Sequence, residues 1–133
     1  MNGPYKVTLY DCADDYPDLS IWTLINAFST GEKAKFSAIL EAVATAPPRR
    51  FSGGGYWEAM HGDLDGIFEV RFQGRSRWLF RFFCILLDEN TTPVLMVFAG
   101  LRKRPGSVLP ERDYVKVRLL ADDLTRANSK PIA

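Results

Sequence analysis

Three groups of charged residues carry the chemistry that stands out in this sequence. Glu69-Val70-Arg71 sets a carboxylate and a guanidinium two residues apart. Arg81 lies inside the run Trp78-Leu79-Phe80-Arg81-Phe82-Phe83, and Arg102-Lys103-Arg104 follows Val97-Phe98-Ala99-Gly100-Leu101. A guanidinium stays protonated at any ordinary pH, and its planar fork matches the oxygens of a carboxylate or phosphate. Arg81 is the most constrained of these groups. Burying it unpaired costs several kcal/mol, so it must reach an open surface or meet a carboxylate. Lys6, Lys33 and Lys35 stand against six carboxylates in residues 1–48, whereas residues 49–133 hold fourteen basic and ten acidic residues. The clustered arginines permit a local site for a polyanion on a chain whose formal net charge is only +1. The plainer reading is a solvated surface on which Glu69 neutralises Arg81 across a hairpin, a contact contributing roughly 0.2–1 kcal/mol.

Strand geometry decides whether these groups can meet. Around residue 70, Phe68, Val70 and Phe72 point one way and Glu69, Arg71 and Gln73 the other. In the next run, Trp78, Phe80, Phe82 and Cys84 alternate with Arg77, Leu79, Arg81 and Phe83. An odd number of residues in the turn around Gly74-Arg75-Ser76 puts Glu69, Arg71 and Arg81 on one face. An even number sets Arg71 opposite an aromatic ring. Gly100 to Pro105 is expected to be a loop that closes a strand ending at Ala99, bringing Arg102, Lys103 and Arg104 to the edge of that face.

The elements that position these residues follow from periodicity. Lys6 to Tyr10 reads as a first strand. Ile21, Trp22, Ile25 and Phe28 form one helical stripe, broken by Ser29-Thr30-Gly31, and Phe36, Ile39, Leu40 and Val43 form a second, ended by Pro47-Pro48. Ser52-Gly53-Gly54-Gly55 is a loop, and Tyr56 and Trp57 either anchor it to the core or stack on a partner or base. Ile67 to Gln73, Arg77 to Leu87 and Pro93 to Ala99 are three β-rich runs. Pro110 opens a helix with Glu111 and Asp113 in its first turn and Tyr114, Val117, Ala121 and Leu124 on one side. The expected fold is α+β, strand–helix–helix–three strands–helix, with a small antiparallel sheet and its helices packed on one face. At 133 residues the chain, 1–133, is expected to form a single domain.

Composition narrows the classes of function. No apolar run approaches the roughly 18 residues that cross a bilayer, and the first residues lack the pattern of a secretory signal, so a cytoplasmic protein is expected. Cys12 and Cys84 are too few for a disulfide scaffold, and a single His with two distant Cys offers no metal cluster. Neither metal nor cofactor is expected.

Met60-His61-Gly62, Gly66-Ile67-Phe68-Glu69-Val70-Arg71, Phe80-Arg81-Phe82-Phe83 and Val97-Phe98-Ala99-Gly100-Leu101-Arg102-Lys103 follow one another in order. Over residues 56–125 this series resembles the RelE/HigB-type toxins of type II toxin–antitoxin modules, in their phage-derived branch. The resemblance implies a RelE-like fold and a ribosome-dependent, metal-independent mRNA endoribonuclease that inhibits translation. It implies attack of an RNA 2′-hydroxyl on the adjacent phosphate, leaving a 2′,3′-cyclic phosphate. Arg71 and Arg81 would clamp the scissile phosphate, Lys103 would be a further cation or proton-transfer group, and Glu69 would orient an arginine or act as base. Arg102 and Arg104 would follow the flanking phosphates, with Arg77 and His61 completing the RNA contacts. The implied partners are the ribosome, mRNA and a cognate antitoxin, typically a helix-turn-helix protein. A Tyr or His near the C-terminus serves some members as proton shuttle; here Tyr114 falls in the apolar stripe of the last helix. Two other functions fit the same resemblance: a non-catalytic, ParE-like inhibitor of DNA gyrase, and a phage-derived binding module that keeps only the fold.

Overall fold

The two longest apolar runs become the two central strands of a five-stranded sheet. The computed structural model describes residues 5–45, 56–89 and 92–129. Its strands are β1 (Lys6–Leu9), β2 (Trp57–Ala59), β3 (Phe68–Gln73), β4 (Leu79–Glu89) and β5 (Thr92–Lys103), in the order β1-β5-β4-β3-β2. Neighbours run antiparallel except β1, which is parallel to β5. The sheet is therefore mixed rather than antiparallel; the long stretch of chain between β1 and β5 leaves their relative direction free. The strand β2 was not expected at all, because three residues are too few to display an alternation. Pro47-Pro48 and the Ser52–Gly55 loop lie outside the described residues.

Helices α1 (Ile21–Asn26), α2 (Thr30–Thr45) and α3 (Glu111–Ser129) complete an α+β fold. The first two cover one face of the sheet, where Ile21, Phe36, Ile39 and Val43 pack with Val70, Phe72, Phe82 and Val97. Phe28, between the helices, meets Phe36, Phe72 and Phe80 edge-on. The expectation that all helices share that face is corrected by α3, which covers the other one. Its Val117, Leu120 and Ala121 pack with Ile67, Phe83, Ile85 and Phe98. The reason is visible in β4, whose Phe82 and Cys84 enter the first cluster while Phe83, Ile85 and Leu87 enter the second. A strand that is apolar on both faces needs a cover on both.

Register in the β3–β4 hairpin is set by its turn. Gln73 pairs with Leu79, which leaves the five residues Gly74 to Trp78 as the connection. The odd number puts Arg71 directly opposite Arg81. Ser76 and Arg77 adopt left-handed conformations there, with φ of 56° and 63°, so Arg77 belongs to the turn and not to the strand. The Glu32 carboxylate holds the turn, accepting bonds from the Arg75 amide at 2.9 Å and the Arg75 Nε at 3.3 Å. The same carboxylate accepts from the Ser29 amide at 2.9 Å, while Ser29 Oγ accepts from the Glu32 amide at 3.1 Å. Ser29 to Glu32 is thus a capping box that starts α2, just after the break between the two helices expected at Ser29-Thr30-Gly31. Gly74 is required by closeness: a Cβ at this position would collide with the Glu32 carboxylate and the Phe80 ring.

Removing this clamp should loosen the hairpin and the start of α2 together. Glu32→Ala is expected to cost about 2–3 kcal/mol of unfolding free energy, the sum of a lost cap and buried donors left without an acceptor. Urea denaturation measures it. The Ser29 amide, joined by Arg75, holds the Glu32 carboxyl below its ordinary value of 4.5 against the opposing effect of burial. Its stabilisation is therefore complete above that value and is lost as pH falls through the lower folded-state pKa. The wild-type protein should lose stability more steeply in that acid range than Glu32→Ala.

Candidate anion-binding site

Pairing of Arg71 with Arg81, and of Leu79 with Lys103, gathers Glu69, Arg71, Arg81 and Lys103 on the face that α3 partly covers. Like charges set directly across two strands repel, so this pairing needs an anion nearby. Glu69 supplies one: its Oε1 lies 3.7 Å from Arg71 Nη1 and its Oε2 3.6 Å from Arg81 Nη1. A second carboxylate comes from the unexpected strand β2. Glu58 pairs across from Glu69 and stands 2.6 Å from Arg71 Nη2, so Arg71 bridges carboxylates of two neighbouring strands. The Glu69 side chain is 4% exposed, whereas those of Arg81 and Arg71 retain 23% and 39% of their exposure. The carboxylate is sunk in the sheet and the guanidiniums lead from it to the surface.

The helix α3 closes one side of the cluster. Arg118 donates to the Asp65 carbonyl at 2.7 Å and pairs with Asp122 at 2.7 Å, tying the helix to the β2–β3 connection. Tyr114 sets its ring edge-on to Phe83 at 6.2 Å between centroids. Its hydroxyl then accepts a bond from Arg81 Nη1 at 3.4 Å. Tyr114 does lie in the apolar stripe, as the periodicity implied, yet its polar tip reaches the cationic cluster. The signal was the choice of Tyr over Phe on a helix face directed at a buried arginine.

Burial pushes the Glu69 carboxyl above its ordinary value of 4.5, and the attraction of Arg81, Arg71 and Lys103 does not fully offset that effect. Among the described residues Glu69 Oε2 makes no hydrogen bond. Charge rather than hydrogen-bond geometry holds the carboxylate between its cations. Burial thus moves this carboxyl upward, in the direction that general acid–base chemistry at ordinary pH requires. The arginines present donors suited to phosphate oxygens.

Other residues of the expected site fall elsewhere. The strand β5 runs to Lys103 instead of ending at Ala99, because Gly100 to Lys103 continue the ladder against Leu79 to Phe82. Consecutive strand residues face opposite ways, so Lys103 joins the α3 face and Arg102 the face of α1 and α2. Lys103 also donates from Nζ to the Ser107 carbonyl at 2.6 Å. Arg102 and Arg104 lie against the Trp78 indole, 4.1 and 3.7 Å from its centroid, and Arg104 Nη1 donates to the Ser76 carbonyl. Neither belongs to the Glu69 cluster. Arg77 is exposed in the hairpin turn, and His61 is exposed at the head of the single-turn helix Gly62–Leu64, which its side chain does not cap. Trp57 is fully buried and stacks on Phe68, while Tyr56 is exposed.

Comparison of the chain with protein-family models, with curated proteins and with solved structures returns no match. Among the described residues no three His, Cys, Asp or Glu side chains group as metal ligands would. No helix among them is long and apolar enough to cross a membrane.

The raised pKa of Glu69 has a definite sign for stability. Across the range from 4.5 up to the folded-state value, the unfolded chain releases this proton and the folded chain keeps it. Stability contributed by Glu69 therefore falls as pH rises through that window and then levels off. Thermal unfolding followed from pH 4 to 8 should show this component in the wild type and not in Glu69→Gln.

Proposed function

We propose that the α3 face is a phosphodiester site and that the protein is a toxin of the RelE/HigB type, cutting mRNA at the ribosome in the cytoplasm until an antitoxin covers it. The observation that carries this reading is the pairing of Arg71 with Arg81, two guanidiniums that share one buried carboxylate. With Lys103 the cluster sets three positive charges against the two carboxylates of Glu58 and Glu69, and a phosphate at the exposed ends would add a further anion. On this reading the arginines bind the phosphate oxygens on which negative charge builds. Glu69 takes the proton of the attacking 2′-hydroxyl, and Tyr114, polarised by Arg81, is placed to return one to the leaving 5′-oxygen. Lys103 adds a third positive charge from the adjoining strand.

Expression without a partner should arrest growth, and mapping of RNA 5′ ends should reveal new cuts in translated messages. Arg81→Ala is expected to abolish both effects while the purified variant keeps its circular dichroism spectrum. Tyr114→Phe is expected to slow cleavage by 10- to 100-fold, the order for loss of one proton-transfer group. Growth arrest with intact mRNA and damaged DNA would instead favour the gyrase-inhibiting alternative, and unimpaired growth would remove both.

A further inference from the structure

A cleft with a volume of about 490 Å³ lies on the opposite face of the sheet from Glu69, beside the β3–β4 turn. This lies within the roughly 300–1,000 Å³ typical of sites for small organic ligands. Its floor is apolar, formed by Leu24, Ala27, Phe28 and Phe80, and its rim carries Arg75 and Arg102. The floor belongs to the packed layer beneath α1 and is held closed by Gly100, at which a Cβ would press on Leu24 and Phe82. Glu32 is the acidic group of the lining, but its carboxylate already serves the Ser29 amide and the Arg75 amide and Nε. That charge is turned inward.

The rim is consequently short of anions. Among the described residues Arg102 has no carboxylate within ion-pairing distance; its guanidinium carbon lies 4.1 Å from the centroid of the Trp78 ring. This cation–π contact restrains the guanidinium and uses none of its N–H donors on a carboxylate, which leaves them for an acceptor. Arg75 is likewise fixed at Nε by Glu32, with its side chain 69% exposed. Two guanidiniums whose orientations are set before any ligand arrives lose little freedom on binding. An apolar floor of ring size beside two such groups fits a planar heterocycle that carries an anionic substituent.

We infer that this cleft binds a nucleotide, its base over Phe28 and Phe80 and its phosphate on Arg75 and Arg102. The site does not depend on the toxin reading, since it shares no residue with the Glu69 cluster. The base lies on the floor formed beneath α1, and the phosphate projects toward the hairpin turn. One chemistry has two sources here: a free mononucleotide, or one nucleotide of an RNA strand passing the end of the hairpin.

The test titrates the full chain with 5′-GMP, 5′-AMP, ribose 5-phosphate and the trinucleotide ApGpA, read by amide and indole N–H chemical shifts and by calorimetry. Expected are shifts at Leu24, Ala27, Arg75 and the Trp78 indole, with ribose 5-phosphate binding at least tenfold more weakly than a mononucleotide. Arg102→Ala should weaken the mononucleotide at least tenfold without changing the melting temperature, and Arg81→Ala should leave its affinity unchanged. Trinucleotide binding tenfold tighter than the mononucleotide identifies an RNA strand as the source, and equal or weaker binding a free nucleotide. Absence of binding at millimolar probe, shifts confined to the Arg71–Arg81 face, or an unaltered affinity in Arg102→Ala would each overturn the inference. Should mRNA stay intact in cells, a positive titration would still stand, because it reads a different face of the sheet.

Discussion

The β3–β4 hairpin can close in only one register, and the placement of every charged group follows from it. Hydrophobic alternation enforces this weakly, because β4 is apolar on both faces: a slip by one residue exchanges Phe82 for Phe83 and Cys84 for Ile85. The exchange is costly at one position above all, Arg81, which would then point into the ring cluster around Phe28 and Phe36. The Glu32 carboxylate adds a local constraint by gripping the turn through the Arg75 amide and side chain. One acidic residue thereby starts a helix, fixes the length of a turn and sets the face on which the arginines emerge. A one-residue change of register would reverse every side chain of β4.

That register has an electrostatic consequence at Glu69. Two guanidiniums are brought opposite each other with a carboxylate beneath them, and burial still raises the carboxyl above its ordinary pKa. Carboxyls shifted by desolvation beside a specific charge partner are more common where chemistry is done than where only packing is needed. Tyr114 extends the same arrangement, since its ring belongs to the core beneath α3 while its hydroxyl belongs to the cluster.

Much of this was legible in the sequence, and the misreadings share one cause. The parity of Phe68, Val70 and Phe72 against Glu69 and Arg71 is as alternation implied: the three apolar side chains join the cluster under α1 and α2, and the charged pair takes the other face. The near-continuous apolar run from Phe82 to Leu87 carries a different message, burial on both faces, and the expectation of a one-sided sheet passes over it. Ser29-Thr30-Gly31 does separate the two helices as expected, and only the distant Glu32–Arg75 contact shows what else the start of the second one holds. Gly100 beside Arg102-Lys103-Arg104 resembles a loop in composition; it is strand because Leu24 and Phe82 occupy the space a side chain would need. Such facts reside in contacts between distant segments. Glu58 was invisible for a related reason, since a three-residue strand acquires its register only from its partner.

Two-sided burial also divides the cations. Lys103 and Arg102 are neighbours in sequence, yet strand parity sends one to the carboxylates of β2 and β3 and the other to the indole of Trp78. On one face the positive charge is answered by Glu58 and Glu69 and overlaid by α3; on the other it is held over an aromatic ring at the mouth of a cleft. These environments select differently. A guanidinium facing a buried carboxylate can move between protein and ligand anions as the ligand arrives, whereas a stacked one is already oriented and offers only its edge. A nearly neutral chain thus carries two unlike clusters of cations, separated by the thickness of one sheet and aligned by the same hairpin.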